Sequence, residues 1–116
     1  MFAQIQKRDG RIVDFDATKI TEAIFFAAKA VGGDDRETAK QLTLKVLDYL
    51  QEAHGDSLFT VEDVQDVVEK ILIENGHART AKAYILYRDR RTRMREARAD
   101  LMDAVEEILK ETNREN

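Results

Sequence analysis

Short mixed runs of apolar and polar residues open the chain, and helical spacing takes over after about fifteen positions. Phe2-Ala3-Gln4-Ile5-Gln6-Lys7 and Arg11-Ile12-Val13-Asp14-Phe15 flank Asp9-Gly10. That pattern predicts a β-hairpin with a two-residue turn at Asp9-Gly10, a pair that tolerates positive φ at both positions. A two-stranded ribbon is marginal alone and must lie on other structure.

Four helices are predicted next. Asp16 is an N-cap, and Ile20, Ala23, Ile24, Ala27, Ala28 and Val31 recur at helical spacing until Gly32-Gly33. A second helix starts near Asp34 or Asp35, carries Ala39, Leu42, Val46, Tyr49, Leu50 and Ala53 inward, and is capped by Gly55. Leu58-Phe59 is read as a short third strand. Thr60-Val61-Glu62-Asp63 resembles a capping box and opens a third helix, whose buried stripe is Val61, Val64, Val67, Val68, Ile71 and Leu72. After Asn75-Gly76, a fourth helix begins at His77 or Ala78 with no breaker before Asn113, either continuous or bent along its basic stretch. The connections are short, so neighbouring helices should pack antiparallel. The expected fold is α+β and mainly α: a small sheet covering a four-helix bundle, with a helical extension at the C-terminus.

Composition narrows the function classes. With 116 residues, 43% of them hydrophobic and 36% charged, the chain suits one packed domain of ~100–150 residues with heavily solvated faces. No apolar run reaches the ~20 residues of a membrane span, and no signal peptide is visible. The expected setting is the cytoplasm, away from membranes. The absence of Cys removes disulfides, thiolate metal sites and thiol nucleophiles. The net charge of −4 makes nucleic acid a poor default partner. It also hides a local asymmetry, since residues 88–98 carry six Arg against Asp89 and Glu96.

Catalytic candidates are weak. His54 and His77 lack metal-ligand spacing, Ser57 lacks a nucleophile setting, and Asp34-Asp35 and Glu62-Asp63 read as helix N-terminal acids. No Gly-rich phosphate loop is present. The binding signal is a group of cations, Lys7, Arg8 and Arg11 around the hairpin turn and Lys19 in the first turn of helix one. Backbone N–H groups and the helix dipole favour anions at such a place. Tyr84 and Tyr87 with Arg88, Arg90 and Arg91 form either a stacking strip for a base or core-edge aromatics with extended arginines.

Ile5-Gln6-Lys7-Arg8-Asp9-Gly10-Arg11, Phe15-Asp16, Lys19-Ile20 and Gly76-His77 through Ala81-Lys82-Ala83-Tyr84-Ile85-Leu86-Tyr87-Arg88 together resemble the ATP-cone. This is an allosteric nucleotide-binding domain at the N-terminus of many ribonucleotide reductases and in their gene repressor. The resemblance implies residues 1–92 as the cone and 93–116 as an extension or linker toward a catalytic body. It implies ATP or dATP as effector, with Mg²⁺ admitted alongside the nucleotide. Ile5, Lys7, Arg8, Gly10, Lys19 and Ile20 are the residues it implicates: the cations on the phosphates, the two isoleucines lining the base. Gln65, Tyr87 and Arg91 are added by helical register. The tail resembles the corresponding segment of anaerobic ribonucleoside-triphosphate reductases.

On that resemblance the chain is a regulatory fragment and not itself an enzyme, since the family's radical chemistry needs cysteine. Two other readings are a repressor cone lacking its zinc ribbon and a helical partner-binding domain without nucleotide. In the tail, Met94, Ala97, Leu101, Ala104 and Ile108 alternate in steps of three and four, an a/d seam flanked by Val105 and Leu109. That seam predicts packing on the chain's own cone, on a catalytic body, or on a second copy of the chain.

Overall fold

A computed structural model describes the backbone of residues 2–115 and side chains through residue 111. The last tail residues, 112–116, therefore lie outside the described side chains. Two strands, β1 (Gln4–Gln6) and β2 (Ile12–Asp14), precede four helices: α1 (Ala17–Ala30), α2 (Arg36–His54), α3 (Val61–Glu74) and α4 (Ala78–Glu115). The chain forms two compact units, residues 1–85 and 86–116, and the division falls within α4. The helical backbone of α4 continues past Asn113.

In the first unit the strands pair antiparallel, with Gln4 opposite Asp14, Ile5 opposite Val13 and Gln6 opposite Ile12. Ile5 faces inward and is buried, while Ile12, one position out of phase, is 53% exposed. The turn differs from the sequence expectation. Gly10 N–H donates to the Lys7 carbonyl at 3.0 Å and Lys7 N–H to the Arg11 carbonyl at 2.8 Å. Within the loop only Gly10 has positive φ, +88°, and no non-glycine among the described residues does. A two-residue turn of the expected kind needs positive φ at Asp9 as well. The chain instead makes a three-residue loop, Arg8-Asp9-Gly10, with the glycine absorbing the left-handed position.

The third strand is reduced to one parallel bridge, Gln6 to Thr60, supported by Gln6 N–H donating to the Phe59 carbonyl at 3.0 Å. Leu58 is exposed and Phe59 is buried. Phe59 receives Phe2 and Phe15 edge-on at 4.7 and 5.6 Å between ring centroids, with the half-buried His54 ring 5.6 Å away. These rings lock the hairpin to the helices.

The helices begin where short polar side chains can satisfy free N–H groups. Asp16 accepts from Thr18 N–H at 3.0 Å, and Asp35 accepts from Glu37 and Thr38 N–H. At α3 the box is complete: Asp63 N–H donates to Thr60 Oγ1 at 3.1 Å, and Thr60 N–H donates to Asp63 Oδ2 at 2.9 Å. Helix α1 packs on α2 and α2 on α3. Ile20, Ile24, Ala39, Val46, Leu50, Val68, Leu72, Ala81 and Tyr84 fill the core between them.

Three core expectations change. Tyr49 is 37% exposed at the edge of the α2 stripe, where Lys70 lies over its ring, and Ala53 is exposed in the last turn. Thr43 is buried instead. Its hydroxyl donates to the Ala39 carbonyl at 2.8 Å and accepts from Thr21, so its polar atom costs little inside.

Candidate functional site

The hairpin end, the start of α1 and the start of α3 bear most of the expected binding residues, all in the first unit. Lys7 stands at the end of β1, half-buried, and Arg8 and Gly10 form the exposed loop beyond it. A Cβ built on Gly10 would meet nothing within 4 Å, so its glycine is required by φ and not by crowding.

Arg8 crosses to α3, where its Nε donates to Glu62 Oε1 at 2.6 Å. With the Gln6 N–H bond to the Phe59 carbonyl and the Gln6–Thr60 bridge, this contact fixes the loop against the α3 N-terminus. Arg11 turns the other way and holds Asp9 at 2.7 Å. The Arg11 backbone N–H, followed by its guanidinium, keeps the Asp9 carboxyl below its ordinary pKa. Lys7 and Lys19 form no salt bridge among the described residues. They are therefore the cations best able to meet an outside anion.

Lys19 occupies the first turn of α1, directly after the Asp16 cap, and is exposed. Hydrogen bonds from the Thr18 hydroxyl and then its N–H hold the Asp16 carboxyl below its usual pKa, so at neutral pH a negative charge accompanies Lys19. Ile5 and Ile20, at 8% and 7% exposure, are members of one core cluster rather than walls of an open cleft. Gln65 lies one turn beyond Glu62 on α3, on the same face. Its Oε1 is buried without a hydrogen-bond partner among the described residues. An orphaned buried acceptor is uncommon and marks a place where an incoming donor would be favoured.

Tyr87 and Arg91 belong to the second unit, and both are exposed. Tyr84 is core, so the core-edge reading of the tyrosine strip holds for that residue. Two cavities lie elsewhere in the first unit. One of about 290 Å³ is walled by Phe2, Gln4 and residues 55–59. Another of about 470 Å³ lies among the end of α1, the start of α2 and residues 76–80. Neither is lined by any of the expected binding residues. Among the described residues no group of three His, Cys, Asp or Glu could hold a metal, and no helix is long and apolar enough to cross a membrane.

Sequence reasoning missed Glu62 as the partner of Arg8. It read the residue as a helix N-terminal acid, which it also is, and a pairing across 54 positions leaves no local signal.

The chain belongs to the ATP-cone family: the ATP cone domain model matches residues 3–93. Such cones are allosteric regulatory domains of ribonucleotide reductases that bind ATP or dATP. The chain is similar to the vitamin B12-dependent ribonucleoside-diphosphate reductase of Mycobacterium tuberculosis, 39% identical over 97 residues, covering 84% of this chain and 13% of the reductase. It is similar to the Thermoplasma acidophilum protein of the same description, 38% identical over 113 residues, covering 93% of this chain and 14% of that protein. It is also similar to the anaerobic ribonucleoside-triphosphate reductase of Escherichia coli, 33% identical over 113 residues, covering 97% of this chain and 15% of the reductase. The chain thus spans about one seventh of the length of these relatives. Both vitamin B12-dependent and anaerobic reductases are among them, so the match defines the domain and leaves the kind of reductase open.

Proposed function

We propose that this chain is the effector-binding part of a ribonucleotide reductase and takes ATP or dATP at the hairpin, the start of α1 and the start of α3. The observation that carries the reading is the family match across residues 3–93, which contains all three of these elements. In this reading Lys7, Arg8 and Lys19 neutralise the polyphosphate, the Gly10 turn lets backbone approach it, and Gln65 offers its amide to the base or sugar. Ile5 and Ile20 would supply apolar contact to the base once the hairpin yields slightly from the core. Mg²⁺ would enter as the partner of the phosphates.

Ribonucleotide reduction itself would belong to a catalytic body outside this chain, which has no cysteine for radical chemistry. ATP would favour the active assembly and dATP the inactive one, each through unequal affinity for the two states, because a ligand that binds both equally shifts nothing. Cytoplasmic nucleotide pools would be the source of both effectors. Within the class, we assign the parent to the anaerobic ribonucleoside-triphosphate reductases on the resemblance of the tail; the vitamin B12-dependent Thermoplasma acidophilum relative, which also matches over 113 residues, is the competing reading. Triphosphate reduction by the full-length parent without oxygen supports this assignment, and vitamin B12-dependent diphosphate reduction refutes it.

Melting the chain with and without ATP, dATP and GTP tests the effector reading. At ~100 times its dissociation constant a ligand adds about 2.7 kcal/mol of stability. A rise with ATP and dATP is expected; unchanged melting at saturating concentrations of both contradicts the reading.

A further inference from the structure

Within the second unit the tail helix keeps an apolar stripe in water. Met94, Leu101, Met102, Val105 and Leu109 are between 41% and 64% exposed. Such a sustained stripe on a helix normally packs against something. The charges along the same helix are divided. Residues 88–98 carry six Arg against Asp89 and Glu96, net +4. Residues 99–111 carry Asp100, Asp103, Glu106, Glu107 and Glu111 against Lys110, net −4. Arg93 is already held by Asp89 one turn back at 2.9 Å, an exposed pair that water and salt weaken readily.

We propose that this face binds the same face of a second copy of the chain, with the two tail helices antiparallel and crossing near residue 99. Antiparallel pairing sets the basic half of each helix beside the acidic half of the other. Parallel pairing would set like charges together along the whole length. The seam fits the same register: with residue 99 at the centre, Met94 faces Ala104 of the other copy and Leu101 faces Ala97. Each large side chain therefore meets a small one, the combination that lets two helices approach closely. The paired stretch, residues 88–111, is about 36 Å long at ~1.5 Å rise per residue. The seam, from Met94 onward, lies beyond the matched residues 3–93 and uses no residue of the hairpin, α1 or α3.

The test is the mass of the whole chain by light scattering across a concentration series, at low and at high salt. Association to twice 13.3 kDa is expected, weaker at high salt because the opposed charges are then screened. Leu101→Glu should abolish it while leaving the melting of the cone unchanged, since Leu101 is 64% exposed within its own chain. The chain has no cysteine, so Lys110→Cys places a single spin label away from the seam. Antiparallel dimers should put the two labels about 33 Å apart, whereas parallel ones would leave them within roughly one helix diameter, ~10–12 Å. A chain that stays monomeric at every concentration, a dimer indifferent to Leu101→Glu, or a short label separation each overturns the proposal.

Discussion

Arg8 of the hairpin loop and Glu62 of the first turn of α3 are joined by an Nε–Oε1 contact of 2.6 Å across 54 positions of sequence. The pair is partly exposed, 42% and 33% by side chain, so its contribution to stability should be small, about 0–1 kcal/mol. Its meaning for a polyphosphate is larger, because a carboxylate stands beside a cation expected to meet phosphate.

Glu62→Gln should therefore leave melting nearly unchanged and tighten ATP binding. Removing one negative charge a few ångströms from the phosphates is worth about 1 kcal/mol in a watery setting, or ~5-fold in affinity. Titration calorimetry at low salt measures it. The gain should persist in an Arg8→Ala background, because the repulsion does not pass through Arg8, and weaker binding by Glu62→Gln alone would show that the carboxylate orients Arg8 for the phosphates.

Lys7→Ala and Lys19→Ala should each weaken ATP binding with little loss of fold. Neither residue belongs to the core, and surface truncations usually change stability by less than ~0.5 kcal/mol. Losing a charge-assisted contact should cost about 1.5–3 kcal/mol of binding, roughly 10- to 150-fold. Parental affinity in both variants, read by calorimetry, would remove these residues from the site.

Much of the fold was legible because its signals are local. Thr60 and Asp63 stand three apart with an apolar run behind them, and both bonds of the cap formed. Asp16 and Asp35 announced their helices in the same way. The turn was misjudged because Asp9-Gly10 fits two loop lengths, and strand register together with the φ of Asp9 decides between them. Thr43 was missed since periodicity counts a threonine as polar, whereas its hydroxyl finds partners at Ala39 and Thr21. At the candidate site, Lys7, Arg8, Gly10 and Lys19 stood out by type and position. The Arg8–Glu62 contact and the unpartnered Gln65 oxygen exist only after tertiary packing.

Thr60→Ala should lower stability by about 1 kcal/mol, the usual cost of losing a side-chain cap. Thr60 also carries the bridge to Gln6, so the loss should loosen the hairpin as well as α3. Urea unfolding followed by circular dichroism gives the first effect. Faster amide exchange at Gln6, whose N–H donates to Phe59, gives the second. Unchanged exchange at Gln6 would confine the cap's role to the helix.

Acid should destabilise the chain through its helix caps. The Thr38 hydroxyl and then its N–H lower the Asp35 pKa, and Thr18 does the same to Asp16, both from the ordinary 3.8. A carboxyl with a depressed folded-state pKa contributes stability above its unfolded value, and that contribution is lost as pH falls through the folded one. The urea midpoint should decline between about pH 5 and about pH 2. Asp35→Asn keeps a capping side chain without the charge and should flatten part of that decline. A pH profile identical to the parent's would remove Asp35 from the acid transition.

The most direct test of the account is competitive calorimetry on the isolated chain with ATP, dATP and GTP. ATP and dATP should each bind saturably and displace one another, with GTP at least ~10-fold weaker, because a site that hydrogen-bonds one base edge leaves buried polar groups unpaired with the other. Equal binding of ATP and GTP, or no saturable heat with any of the three, would contradict an adenine-nucleotide site at the hairpin and helices α1 and α3.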